Sequence, residues 1–128
     1  MDTRRIAAAL LALAALAAAP SRSSAQTPSA QAPPRVVHVS LSEHRIEVRD
    51  TVTQGQAVLV VTNTGTVPHS LRIRGHRAQV STRTLEPGQT VNVAMRLIVG
   101  EYLLYCAEKT GGTEHRKQGM ERRIRVVW

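Results

Sequence analysis

The chain has 128 residues, room for one domain, or for one domain behind a leader. Its 17 Lys and Arg against nine Asp and Glu give a formal charge of +8, a balance shared by binders of nucleic acid, anionic membrane and acidic proteins. One cysteine excludes an internal disulfide and any cysteine-only metal cluster. Two Tyr, one Trp and no Phe leave little for the base stacking that RNA and single strands require, so nucleic acid is not the expected partner.

Residues 1–25 are expected to be a signal peptide. Arg4 and Arg5 precede an apolar run of Ala and Leu from Ile6 to Ala19, and Ser23-Ser24-Ala25 supplies small residues for a cut after Ala25. The run is shorter than the ~20 residues of a membrane-spanning helix, so no stable span is expected after cleavage; a retained anchor is the alternative. The mature chain, residues 26–128, keeps a charge of +6. Residues 26–35, rich in Pro, Ala, Gln, Ser and Thr, read as a flexible linker, and a single domain is expected over 36–128.

From Val36 onward apolar residues recur with period two. The expected strands are Val36–Leu41, Arg45–Arg49, Ala57–Asn63, His69–Arg74, Thr82–Leu85, Thr90–Leu97, Glu101–Cys106 and Glu121–Trp128. Gly55, Asn63-Thr-Gly65, Gly75, Pro87-Gly88 and Gly100 punctuate them, and no segment after the leader carries a helical repeat. Short, evenly spaced strands indicate an antiparallel sandwich or barrel. Alternation places Val91, Val93, Met95 and Leu97 on one face, and Ile124, Val126 and Trp128 on another. Most arginines then point outward.

Two residues fall on apolar faces where plain hydrophobes are the norm. His69 shares parity with Leu71 and Ile73, and Cys106 with Tyr102 and Leu104. Singly, each reads as an ordinary core residue. Together with His115 and Met120 they make a set of one thiolate, two imidazoles and one thioether. That set suits a copper ion cycling between Cu(I) and Cu(II), whereas zinc favours further Cys, His or carboxylate.

Over residues 36–128 the chain resembles the cupredoxins, the small blue-copper electron carriers. The likeness rests on Val61-Thr-Asn-Thr-Gly-Thr-Val-Pro-His69-Ser-Leu, on Glu86-Pro-Gly-Gln-Thr90, on Gly100-Glu-Tyr-Leu-Leu-Tyr-Cys106 and on His115-Arg-Lys-Gln-Gly-Met120. It implies an all-β, antiparallel Greek-key β-sandwich of about eight strands. It further implies one copper ion held equatorially by His69, Cys106 and His115 and axially by Met120. One departure stands out. The family has two to four residues between the Cys and the second His, and here eight intervene, Ala107 to Glu114. The Gly111-Gly112 pair makes this loop flexible by expectation, and its length lets Glu108 or Glu114 approach the metal.

His38, His44 and His76 are expected in surface or hydrogen-bonded roles. No nucleophile elbow, phosphate loop or His-Glu-x-x-His motif is present, so an enzyme is not expected. The leader and the resemblance imply a periplasmic or extracellular electron carrier. The resemblance makes His115 its surface port, rimmed by Lys109, Arg116 and Lys117 and facing an acidic docking surface on a redox partner. Copper storage or delivery, and a metal-free immunoglobulin-like interaction module, are the alternatives.

Overall fold

A computed structural model of the chain describes residues 31–128; the expected signal peptide and the first part of the linker lie outside the described residues. Eleven strands form: β1 Arg35–Ser42, β2 Arg45–Glu47, β3 Thr51–Thr53, β4 Gly55–Asn63, β5 Arg72–Gly75, β6 Ala78–Ser81, β7 Thr90–Leu97, β8 Gly100–Tyr105, β9 Lys109–Thr110, β10 Thr113–Glu114 and β11 Glu121–Val127. One 3₁₀ turn, His115–Gln118, precedes β11. The larger strands make a four-stranded sheet in the order β2-β1-β4-β7 and a five-stranded sheet in the order β3-β11-β8-β5-β6. Among the described residues no helix is long and apolar enough to cross a membrane.

The period-two pattern becomes burial. In β4, Ala57, Leu59, Val61 and Asn63 point inward, and in β11 Ile124 and Val126 do. Inward side chains from both sheets, including Leu41, Leu59, Leu104 and Val126, merge into one apolar cluster. Arg72, Arg74, Arg96, Arg123 and Arg125 are exposed, as their parity requires. Tyr102 is buried, and its hydroxyl accepts a hydrogen bond from the Ile98 N–H at 3.0 Å, which satisfies its polar end.

Three departures from the expected strands and their pairing bear on how the sandwich is built. First, it is not purely antiparallel. β1 runs parallel to β4, with Val39 opposite Val61, and β3 runs parallel to β11. Alternation reports a strand's buried face and is silent on the direction of its neighbour. Second, the pairing with β5 is made by Ala78–Ser81, and Thr82–Leu85 is a loop that approaches His69. The turn between β5 and β6 places His76 and Arg77 at φ 35° and 64°, a conformation usually signalled by Asn-Gly or Gly-Gly, so Gly75 marked a break without marking a tight hairpin. Third, His69 itself precedes β5 and touches the neighbouring chain only through a single bridge to Leu85.

Candidate metal centre

His69 is placed by Asn63. The Asn63 side chain is fully buried at the end of β4, and its Nδ2 donates to the Val67 carbonyl (2.9 Å) and to the Leu85 carbonyl (2.8 Å). Its Oδ1 accepts from the Gly65 N–H at 2.9 Å. One amide thus folds the segment 63–67 and ties it to residue 85. His69 completes the tie by exchanging backbone hydrogen bonds with Leu85, at 3.0 and 2.7 Å.

Cys106 directly follows β8 and is fully buried. Its N–H donates to the Met120 carbonyl (3.1 Å), and the Met120 N–H donates to the His115 carbonyl (3.1 Å). Backbone bonds therefore bind Met120 to both Cys106 and His115, and the Met120 side chain is buried in the same apolar cluster as Cys106.

The eight-residue gap between Cys106 and His115 is not a loose loop. Lys109–Thr110 and Thr113–Glu114 pair as a small antiparallel hairpin. Gly111 and Gly112, at φ 56° and 81°, are its two central residues, both left-handed as a type I′ turn needs. The glycines that suggested flexibility instead permit a tight turn. The hairpin delivers His115, whose N–H donates to the Glu108 carbonyl at 3.0 Å. Neither nearby carboxylate joins the donor group. Glu108 accepts from the Thr84 hydroxyl, and Glu114 pairs with Lys109 and Lys117.

His69, Cys106 and His115 converge as a buried group of donors within metal-binding distance of one another. The two Nδ1 atoms lie 3.2 Å apart, and Cys106 Sγ lies 3.9 Å from His69 Nδ1 and 3.7 Å from His115 Nδ1. A point inside that triangle is about 2.1 Å from all three atoms, within the ~2.0–2.3 Å range of imidazole and thiolate bonds to metals. The donor set and its dimensions fit a copper ion.

The fold is the cupredoxin fold. The reduced auracyanin from the photosynthetic bacterium Roseiflexus castenholzii superposes with a TM-score of 0.59, at 16% identity, over 76% of this chain and 99% of that one. Auracyanin A, a "blue" copper protein from the green thermophilic photosynthetic bacterium Chloroflexus aurantiacus, superposes at 0.55, with 12% identity, over 74% and 100%. A multicopper oxidase also shares the fold, at 0.51 and 16% identity, over 72% of this chain but 41% of its own length. No family model and no curated protein matches the sequence.

Burial tunes the donors. It holds His69 below its usual pKa; a charge on His115 would lower it further, while Glu43 opposes. It pushes the Cys106 thiol up, against the N–H groups of Ser70 and Glu108, so metal binding must displace a firmly held proton. The cupredoxin resemblance made His115 a surface port, yet it is only 4% exposed. Its Nε2 is covered by the Thr110 hydroxyl at 2.7 Å, because the inserted hairpin folds over it. His38, His44 and His76 stay apart from the donor group. His44 lines a cavity beside His69 and His115, but no second metal-binding group forms among the described residues. Sequence reasoning passed over Thr110 and Glu43, whose importance depends on what lies across the fold from them. The Gly-Gly pair beside Thr110 was the one available signal of a hairpin.

Proposed function

We propose that this protein is an exported, mononuclear copper electron carrier, with His69, Cys106 and His115 as equatorial ligands and Met120 as the axial ligand. The observation that carries the reading is the convergence of one Sγ and two Nδ1 atoms around a point at bonding distance from each. Copper bound there supplies one-electron exchange. The chain's own part is to hold a donor geometry between the preferences of the two oxidation states, inside a buried site that excludes water. Cys106 and Met120 are fixed by the same backbone ladder, and both imidazoles are buried, so little rearrangement accompanies the change of charge.

We read the protein as a carrier and not an enzyme: the described residues hold one donor group, and the chain spans nearly the whole length of the auracyanins whose fold it shares. The copper-delivery alternative drew on a flexible, opening loop, and the hairpin order of residues 109–114 removes that motive. A metal-free interaction module has no use for a thiol and two imidazoles buried around one point.

We take the partner to be a redox protein with an acidic face, and the charge pattern supports a landing away from the rim of His115. Around His115 the cations are paired, though one positive charge stays in excess: Lys109 and Lys117 share Glu114 at 3.7 and 3.9 Å, and Arg116 pairs with Glu121. Arg72, Arg74 and Arg123 have no such carboxylate among the described residues. The registers place Arg74 and Arg123 on either side of Leu103 on the outer face of the five-stranded sheet, with Arg72 beside Tyr105. That face offers a positive surface for steering.

Two experiments test the reading. Copper-loaded protein is expected to absorb intensely in the visible through its thiolate, and Cys106→Ser to abolish the band. Failure of the wild type to take up copper under conditions that load ordinary blue-copper proteins would overturn the proposal. In stopped-flow transfer to an acidic acceptor, rates should fall as salt rises; indifference to salt removes the steering.

A further inference from the structure

We propose that Glu43 is a positioning residue for His69, accepting from the imidazole at Nε2 and so turning Nδ1 toward Cys106 and His115. The inference rests on His69 being a copper ligand, as proposed above. His69 is buried, and its two ring nitrogens have different surroundings. Nδ1 belongs to the donor triangle. Nε2 is the one buried side-chain nitrogen or oxygen among the described residues with no hydrogen-bond partner. The nearest charged group is Glu43 Oε1, 3.5 Å away, so a shift of a few tenths of an ångström closes a hydrogen bond.

Glu43 is not a drifting surface carboxylate. It sits in the turn between β1 and β2, 26 residues before His69 in the chain, and its Oε1 is already held by the loop that carries His69. That oxygen accepts from the Thr66 N–H, from the Thr66 hydroxyl at 3.2 Å and from the Val67 N–H at 3.1 Å. Gly65 makes the approach possible, because a Cβ there would collide with the carboxylate. The turn therefore presents a fixed negative charge to the outer edge of His69.

The chemistry follows from what each group can donate. A carboxylate only accepts, so Nε2 must carry the imidazole proton and Nδ1 is left with its lone pair free. The anion also makes the ring a stronger donor and favours the more highly charged metal state. His115 has a different partner on its own Nε2, the neutral Thr110 hydroxyl. The two imidazoles are thus inequivalent: one is backed by a charge and the other by a dipole.

Glu43→Gln keeps the side chain's shape and its accepting oxygen and removes the charge. In metal-free, ¹⁵N-labelled protein, the wild type should show His69 protonated at Nε2, with that proton slow to exchange. Glu43→Ala should lose the slow exchange. In loaded protein, Glu43→Gln should keep the visible band but weaken Cu(II) relative to Cu(I) by on the order of 10-fold, a rise in potential of about 59 mV for one electron. A wild type protonated at Nδ1 of His69, or a Glu43→Gln protein with the wild-type potential, would overturn the proposal. If the wild type refuses copper, the ligand reading falls, and the metal-free tautomer still decides the role of Glu43.

Discussion

His69 arrives at the centre on a segment pinned by residues far away in sequence, whereas His115 arrives on a loop that largely holds itself. Asn63 ties the His69 segment to Leu85, 22 residues on, and Glu43 reaches it from 23 and 24 residues before, at Thr66 and Val67. The His115 loop is held by Thr110, Glu108 and a two-glycine turn, all within a few residues. The first imidazole is placed by the closed sandwich, and the second by local backbone geometry. Damage to the first should therefore register as lost stability, and damage to the second as altered metal binding in a fold that survives.

Asn63→Ala tests the first half of that contrast and carries the largest expected effect. It leaves the Val67 carbonyl and the Gly65 N–H without their partner in a part-buried place, and strips the buried Leu85 carbonyl of one of its two donors, the His69 N–H being the other. A loss of about 3 kcal/mol is expected, seen as a lower urea midpoint with an unchanged slope. A midpoint matching the wild type would show that the strands alone hold His69.

Thr110→Val tests the second half. The substitution keeps the β-branched shape and removes the hydroxyl from His115 Nε2. Stability should change by less than about 1 kcal/mol, while copper should dissociate roughly 10-fold faster. Equal dissociation rates would show that the hairpin covers His115 without orienting it.

The smallest effect is in pH and also separates the two regions. His69 lies below its usual value of 6.5 when folded, so the unfolded chain takes its proton first. Stability of the metal-free protein is therefore fully present above about pH 6.5 and declines as pH falls below it. Glu43, lowered from 4.5 to about 2 chiefly by the Thr66 N–H, adds a second loss between those values, as acid releases its hold on the loop. Both losses belong to the His69 segment. Urea midpoints measured against pH should show the first decline in the wild type; a flat profile across neutrality would contradict the burial of an uncharged His69. Bound copper should abolish that step, since proton and metal compete for the same nitrogen.

Much of this was legible before any coordinates. Period two in Thr90–Leu97 and in the last strand named the faces that turn inward, because alternation is a property of each strand taken alone; Trp128, 85% exposed past the end of β11, is the exception. The candidate donors His69, Cys106 and His115, which the fold brings together, were marked by chemical type. The short strand Thr51–Thr53 was missed because three residues are too few to display a period. The strand Ala78–Ser81 was missed because its turn uses His76 and Arg77 where glycine or asparagine is expected. The inserted loop was misjudged for the opposite reason: glycines serve both floppy linkers and tight I′ turns, and only the pairing of Thr110 with Thr113 distinguishes them.

The candidate donors and the outward arginines were therefore legible in the residues alone, through donor chemistry and strand parity. The tertiary structure decided where those residues meet. It set the parallel pairings, closed the three donor atoms into a triangle with sides of 3.2 to 3.9 Å, covered His115 with Thr110 and brought Glu43 to the back of His69. Periodicity and donor type are local properties that a chain carries in any conformation. Convergence depends on hydrogen bonds between segments tens of residues apart, which exist only once both sheets have packed on their common core.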